Sequence, residues 1–220
     1  MTTWRAFAAL AVWLASLPAI GAQEDVYGYM GKRYGVDPTL LKAISWHESR
    51  WHPWTVNIAG EGFYLRSKQE ALDVVARTYK NPWLLVLKLK SGEQERHLLS
   101  SEQLALKMAR ADTRVRTYRL LRVRPGRFDV GLMQIHWEAH RRDVPSVERL
   151  FDPDYNVAYG AKYLADLIRR HGTPEAIGYY HSPTRSRQVN YRSNVMHWYD
   201  VLSRIPAAKA AFGQADVAAR

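Results

Sequence analysis

The residue best placed to do chemistry in this sequence is Glu48, which lies in the aromatic-rich segment 46–51. Leu41, Ile44 and Glu48 are spaced three and then four residues apart, so a helix places them on one face. A carboxylic acid on an apolar face keeps its proton near neutral pH, because the anion loses hydration there. Cleavage of a glycosidic bond requires such a proton. Position alone leaves a second interpretation open, a solvated carboxylate at a helix end that pairs with Arg50.

Two further segments follow Glu48-Ser49 in a fixed order. They are Gly-Leu-Met-Gln at 131–134 and Tyr-Tyr-His at 179–181. The three segments together resemble the catalytic domain of the soluble lytic transglycosylases, the goose-lysozyme-like muramidases. In that family a Glu-Ser pair follows a helix, Gly-Leu-Met-Gln lines the cleft, and an Ala-Tyr-Asn-like segment closes it. Tyr-His-Ser at 180–182 resembles the branch associated with secretion, conjugation and pilus machines. The resemblance does not cover residues 60–127.

This resemblance implies a mainly α-helical, lysozyme-like fold and a peptidoglycan lytic transglycosylase. Such an enzyme cleaves the β-1,4 bond between N-acetylmuramic acid and N-acetylglucosamine. Glu48 would protonate the bridging oxygen and then act as a base on the sugar's own 6-hydroxyl, which closes to a 1,6-anhydromuramoyl product. The nucleophile is already tethered to the electrophile, which favours the ring closure. The resemblance implies no metal and no organic cofactor.

The resemblance also implies residues that bind the substrate, namely Ser49, Met133, Gln134, Tyr180, His181 and Tyr191. Tyr180 is expected to hydrogen-bond the carboxyl of Glu48. His181 replaces the usual Asn, and because a histidine charges near about pH 6.5, a charged His181 would favour the Glu48 anion. A packing interpretation stays open for Met133 and Gln134 as a buried helix start, because a methionine belongs to a core more often than to a binding surface. It stays open for Ser49 as a plain hydroxyl at the C-terminus of a helix.

Two other carboxylates leave the reaction open. Asp129 or Glu61 could orient a water molecule, which would make the protein a hydrolytic goose-type lysozyme. We interpret Asp129 as a turn or cap residue, because it lies beside a glycine-containing segment. A non-catalytic cell-wall-binding subunit of a secretion or conjugation apparatus is a further alternative. Several histidines lie near the motifs, but none forms a His-Glu-x-x-His zinc signature. They are His47, His52, His136 and His140.

Composition and the N-terminus indicate where the protein acts. The chain has 220 residues, of which 47% are hydrophobic, so it is long enough for one globular domain with an insertion. Its formal net charge of +11 predicts attraction to polyanions such as nucleic acid, an anionic membrane or the cell wall. Residues 1–22 read as a secretory signal peptide, with Arg5 before an apolar run that is shorter than the about 20 residues of a membrane span. We therefore expect an exported, periplasmic protein without a stable membrane span, whose partner is peptidoglycan and not nucleic acid.

The absence of cysteine excludes disulfides, lipoprotein anchoring and thiol nucleophiles. The remaining patterns divide the chain into a lytic transglycosylase domain at 23–205, a small α+β insertion at about 60–127 beside the cleft, and a loose tail at 206–220. Capping signals and apolar spacing predict helices at 24–34, from Asp37-Pro38 onward, at 68–79, from Ser100 to about 110, at 152–172, from Pro174 onward and around 191–202. Strands are predicted at 83–90 and 113–123.

Overall fold

The computed structural model describes residues 25–205 and is mainly α-helical. The predicted signal peptide and the predicted tail lie outside these residues. The helices are α1 (Val26–Tyr34), α2 (Pro38–Ser49), α3 (Lys68–Thr78), α4 (Glu102–Ala111), α5 (Trp137–His140), α6 (Val147–Leu150), α7 (Pro153–His171), α8 (Thr173–His181) and α9 (Arg185–Ser203). The strands are β1 (Thr55–Ile58), β2 (Glu61–Tyr64), β3 (Trp83–Leu89), β4 (Gln94–Leu99), β5 (Val115–Arg122), β6 (Asp129–Val130) and β7 (Ile135–His136). Within 25–205, no helix combines the length and the apolar character needed to cross a bilayer.

Local capping starts the two helices that matter most for the cleft. The Asp37 side chain accepts from the backbone N–H of Thr39 at 2.7 Å, and the Asp152 side chain accepts from Tyr155. Each acidic cap precedes a proline in the first helical turn, which has no N–H to leave unsatisfied. Both helices begin where the sequence predicts them. Helix α4 differs slightly, because its cap is Ser101 and not Ser100.

The main core forms where the helices pack on one another. Helix α2 packs against α1 and α9, while α8 packs between α7 and α9. Leu41 and Ile44 of α2 are completely buried. Gly160 lets α7 approach the segment 131–134, since a Cβ at that glycine would lie 2.9 Å from the Cβ of Met133. The core therefore presses the two predicted cleft motifs against each other.

Two antiparallel sheets complete the fold. The first has the strand order β2-β1-β6-β7, and the second has the order β4-β3-β5. Strand β3 alternates, so that Leu84 and Val86 join the main core while Leu85 and Leu87 pack with α4 in a second apolar cluster. The expected α+β segment at 60–127 thus contains α3, α4 and the whole second sheet.

A buried carboxylate joins the two sheets. Glu61 of β2 is 7% exposed and accepts a hydrogen bond from Nε of Arg96 in β4 at 3.3 Å. It also forms an ion pair with Arg119 of β5. Glu61 is therefore engaged in holding the second sheet on the first, and it is not among the residues that line the cavity around Glu48.

We predict that Glu61→Gln lowers the free energy of unfolding at neutral pH by about 1–3 kcal/mol, because two arginines lose a buried anionic partner. Urea unfolding measures this change. Asp166→Asn is the control, since it breaks an exposed pair with Arg169 within one helix and should cost less than about 0.5 kcal/mol. Equal losses in the two variants would contradict the anchoring role of Glu61.

Candidate active site

Glu48 lies in the last turn of α2 and is half-buried at the wall of a cavity of about 530 Å³. Gln134, Tyr180 and His181 line the same cavity. The structure therefore brings residues from all three sequence motifs to one place. A cavity of this volume lies within the usual range for sites that bind small molecules or segments of a polymer.

Burial dominates the electrostatics of Glu48. Desolvation raises the pKa of this carboxyl from the ordinary 4.5 to about 7, and the nearby Asp129 charge adds to the increase. A hydrogen bond limits the increase, because the Tyr191 hydroxyl donates to Oε1 at 2.6 Å and favours the anion. At neutral pH the carboxyl is thus poised between its protonated and its ionised form.

The hydroxyl expected at Glu48 comes from a different tyrosine than the sequence indicated. Tyr180 lines the cavity, but its hydroxyl donates to the backbone carbonyl of Met133 at 2.9 Å. Tyr191, which is 4% exposed on α9, makes the bond to Glu48 instead. Sequence alignment with the family motif pointed to Tyr180 because it lies within the third segment, whereas contact with Glu48 depends on the packing of α9 on α2.

Ser49 and Met133 lie behind the cavity wall. Both are completely buried. The Ser49 hydroxyl donates to the carbonyls of Leu132 at 2.9 Å and of Ser45 at 3.0 Å, so it links α2 to the segment 131–134. This placement supports the packing interpretation for the two side chains, and a direct contact of either with substrate stays a prediction.

Asn156 shapes the segment 131–134, and the sequence analysis missed it. Its Oδ1 accepts from the N–H of Met133 at 2.7 Å, and its Nδ2 donates to the carbonyls of Leu150 and Val130 at 2.8 and 3.1 Å. Gly131 has a φ of +81°, and a Cβ there would lie 2.3 Å from Nδ2 of Asn156. The available signal was an amide beside Val157 on the buried face of α7.

Gln134 is held at the cavity wall by its own side chain. Its φ is +45°, and its Nε2 donates to the carbonyls of Gly131 at 2.8 Å and of Thr55 at 3.2 Å. These two bonds fix the direction of the amide, because a side chain bound to two backbone groups has few other rotamers. Gln134 thus lines the same cavity as Glu48, and its contact with a substrate stays a prediction.

A second carboxylate also faces this cavity. Asp129 belongs to strand β6 and lines the cavity together with His136, so our interpretation of it as a turn or cap residue was wrong. Its Oδ1 lies 2.7 Å from Nδ1 of His136. This hydrogen bond raises the pKa of His136, since the imidazolium gains a charged partner. No sequence pattern marks this pair, because its geometry depends on the pairing of β6 with β7.

His181 stacks on Tyr191, the residue that donates to Glu48. The two rings lie at a centroid distance of 4.6 Å and an angle of 7°. The His181 side chain is exposed overall, but partial desolvation lowers its pKa, which favours the neutral ring. A positive charge beside the Glu48 anion is therefore disfavoured, and contact of His181 with substrate stays a prediction. In the described part of the chain, no group of three His, Asp or Glu side chains could hold a metal ion.

The cavity around Glu48 continues at both ends. A cavity of about 490 Å³ adjoins it through His140 and Tyr163. A third cavity, of about 470 Å³, adjoins it at Asn57, Asp129 and Arg187. Because the cavity of Glu48 shares lining residues with each of the other two, we interpret the three as sections of one groove with the acid in its middle section. An extended polymer requires a site of this shape.

We predict that Tyr191→Phe raises the pKa of Glu48 by about 0.5–1 unit, because the anion loses a hydrogen-bond donor while the ring is retained. Carbon NMR of the labelled glutamate carboxyls measures the titration directly. Tyr180→Phe is the matched control, since its hydroxyl bonds a carbonyl and not the acid. An unaltered Glu48 titration in Tyr191→Phe would mean that the hydroxyl does not stabilise the anion.

Glu48→Gln should change stability in a pH-dependent way. The raised pKa means that the contribution of protonated Glu48 is complete below about pH 4.5 and is lost as the pH rises through about 7. Glutamine carries no charge and does not lose this contribution. As the pH rises from about 5 to about 8, the free energy of unfolding of the variant should therefore increase relative to that of the wild type by on the order of 2 kcal/mol. Urea unfolding at the two pH values measures the gain, and the same difference at both would exclude a raised pKa.

The chain was compared with protein families and with individual proteins. A family model described as the transglycosylase SLT domain matches residues 25–194. No curated protein and no solved structure matches the chain. The family match spans most of the chain. It supports peptidoglycan as the substrate class and lytic transglycosylase-type activity in general. The chain therefore belongs to the transglycosylase SLT domain family and has the mainly α-helical, lysozyme-like fold of its members.

Proposed function

We propose that this protein is a lytic transglycosylase that cleaves the β-1,4 bond between N-acetylmuramic acid and N-acetylglucosamine and leaves a 1,6-anhydromuramoyl end. One observation carries the proposal. The half-buried Glu48 has a pKa of about 7 and a hydroxyl donor at 2.6 Å, in the middle section of an open groove. A group with that pKa gives up and takes back a proton at nearly equal cost near neutral pH.

In the first step, Glu48 donates its proton to the bridging oxygen as the bond from that oxygen to C1 of the muramoyl sugar breaks. The bonding electrons leave with the oxygen, and positive charge develops at C1. The Glu48 carboxylate that remains is stabilised by the Tyr191 hydroxyl, which already donates to Oε1 in the resting enzyme. No backbone movement is needed to supply this donor, so the stabilisation is preorganised.

In the second step, the Glu48 carboxylate removes the proton from the 6-hydroxyl of the same sugar, and O6 attacks C1. Glu48 returns to its protonated form and no water is consumed. Gln134 and Tyr180 lie on the wall of the same cavity, and we propose that they hold the sugar in position. The neutral ring of His181 supports Tyr191 by stacking and takes no part in the proton transfer.

Hydrolysis is the second candidate, and the Asp129–His136 pair favours it. Both residues line the cavity that contains Glu48, and Asp129 is near enough to raise the Glu48 pKa. A water molecule held by this pair could attack C1 in place of O6. The product would then be a reducing muramoyl end that contains one more water than the anhydro end.

We also propose that the protein acts in the periplasm. The substrate lies outside the cytoplasm, and the pattern at 1–22 supports export to the periplasm. A role beside a secretion, conjugation or pilus machine is supported by segment 180–182 alone.

Mass spectrometry of muropeptides released from purified sacculi tests the proposal. We expect anhydro ends from the wild type, and we expect Glu48→Gln to lower the release by about two to four orders of magnitude, because the only proton donor of the mechanism is removed. Activity that persists in this variant would disprove the role of Glu48.

Asp129→Asn separates the two candidate reactions. If transglycosylation is correct, the variant keeps releasing anhydro ends. Reducing ends that dominate in the wild type and decline in Asp129→Asn would identify a hydrolase. Sacculi that bind the wild type and Glu48→Gln equally well, and release nothing with either, would identify a non-catalytic wall-binding protein.

A further inference from the structure

Four arginines surround one end of the groove. Arg122, Arg124, Arg127 and Arg187 line the cavity of about 470 Å³. Arg127 and Arg187 also line the cavity around Glu48, so the two spaces are continuous. The mechanism proposed above uses none of these side chains.

Little negative charge within the protein offsets this arginine-lined end. Arg127 pairs with Glu138 at 3.1 Å, and Arg122 lies 4.9 Å above the ring centroid of Trp83. Arg124 and Arg187 are exposed, and within residues 25–205 neither has a carboxylate at ion-pair distance. The single acidic residue that lines this cavity is Asp129, which already bonds His136. The cavity is therefore positive and has unused donors.

Arg124 and Arg127 lie on a firmly anchored turn, while Arg122 ends β5 and Arg187 lies in the first turn of α9. Val123 is buried, and its N–H donates to the carbonyl of Pro82 at 2.8 Å. Phe128 is also buried, on the other side of the turn. Between them, Gly126 has a φ of +81°, and the N–H of Arg127 donates to the carbonyl of Arg124 at 3.1 Å. A cluster held in this way can bind a ligand at a lower cost in conformational entropy than a flexible loop.

We propose that this arginine-lined end binds the carboxylates of the peptides attached to the glycan strand, and that it makes the enzyme prefer strands that carry peptides. The inference rests on the proposed function. The sugar rings of the strand are uncharged, so a strand stripped of its peptides has no partner for the arginines. Each muramoyl unit of intact peptidoglycan carries a peptide with free carboxylates, close to the bond that is cut. Arginine matches a carboxylate in both charge and geometry.

Cleavage of two matched substrates tests the proposal. One is a soluble, peptide-bearing glycan strand, and the other is the same strand after an amidase has removed the peptides. We expect the wild-type kcat/KM to be about tenfold higher on the peptide-bearing strand, a modest factor because exposed charge pairs are weak. The double variant Arg124→Gln/Arg187→Gln should bring this ratio close to one, and Arg124→Lys/Arg187→Lys should restore part of it.

Arg110→Gln/Arg116→Gln is the matched control. These are exposed arginines on α4 and β5, within the same 60–127 segment, and neither lines any of the three cavities of the groove. This variant removes two positive charges, as Arg124→Gln/Arg187→Gln does, but should keep the substrate ratio of the wild type. A ratio that falls equally in the control would show that net charge, and not the arginine-lined end, attracts the peptide-bearing strand.

Binding to Glu48→Gln separates this inference from the proposed function. If the wild type cleaves neither strand, the proposed function fails, but the Glu48→Gln variant still reports whether peptide-bearing strands bind more tightly. Equal binding of the two strands would overturn the inference even if cleavage is normal. Polyphosphate is the third probe. Competition by polyphosphate that matches competition by the free peptide would identify a general polyanion surface and would also overturn it.

Discussion

The catalytic proposal depends on the contact between the Glu48 carboxyl and the Tyr191 hydroxyl. The two residues lie on α2 and α9, which pack against each other. Burial alone would make Glu48 too weak an acid, whereas full exposure would leave it ionised at neutral pH. The hydrogen bond from Tyr191 partly offsets the effect of burial, so the pKa of Glu48 lies between these limits, at about 7. The packing of two helices thus sets the chemistry of one proton.

The segment 131–134, which brings Gln134 to the cavity wall, is held by buried polar groups that have hydrogen-bond partners. A buried amide or hydroxyl without a partner costs about 1–3 kcal/mol, so such groups specify a structure only when every bond is made. Ser49 bonds two carbonyls, and Asn156 bonds one N–H and two carbonyls. Between them they fix a segment whose backbone takes positive φ at both Gly131 and Gln134. The position of Ser49 directly after Glu48 is therefore explained by its hydrogen bond to the segment 131–134.

The sequence predicts what is local and fails where contacts are distant. The caps at Asp37 and Asp152 were predictable because a side chain and its N–H partner lie within three residues. Glu48 was predictable because helical periodicity places it beside Leu41 and Ile44. The bond from Tyr191 joins residues 143 positions apart, and β6 and β7 are only two residues long, so no local pattern marks them. The stacking of His181 on Tyr191 likewise joins two different helices, which periodicity does not report.

The two ends of the groove differ in their charged side chains, and segment 60–127 supplies three of the four arginines at one end. At one end Tyr159 and Tyr163 lie among side chains of both charges, and at the other the charged side chains of the wall are four arginines and Asp129. An uncharged glycan strand alone gives no reason for this asymmetry. The arginine-bearing turn follows β5, and the ion pairs of Glu61 hold the sheet of β5 against the sheet that carries Asp129. One buried carboxylate couples the insertion to the sheet that carries Asp129. The two proposals, recognition of the strand and cleavage of its bond, therefore assign these tasks to separate parts of the chain that are held against each other.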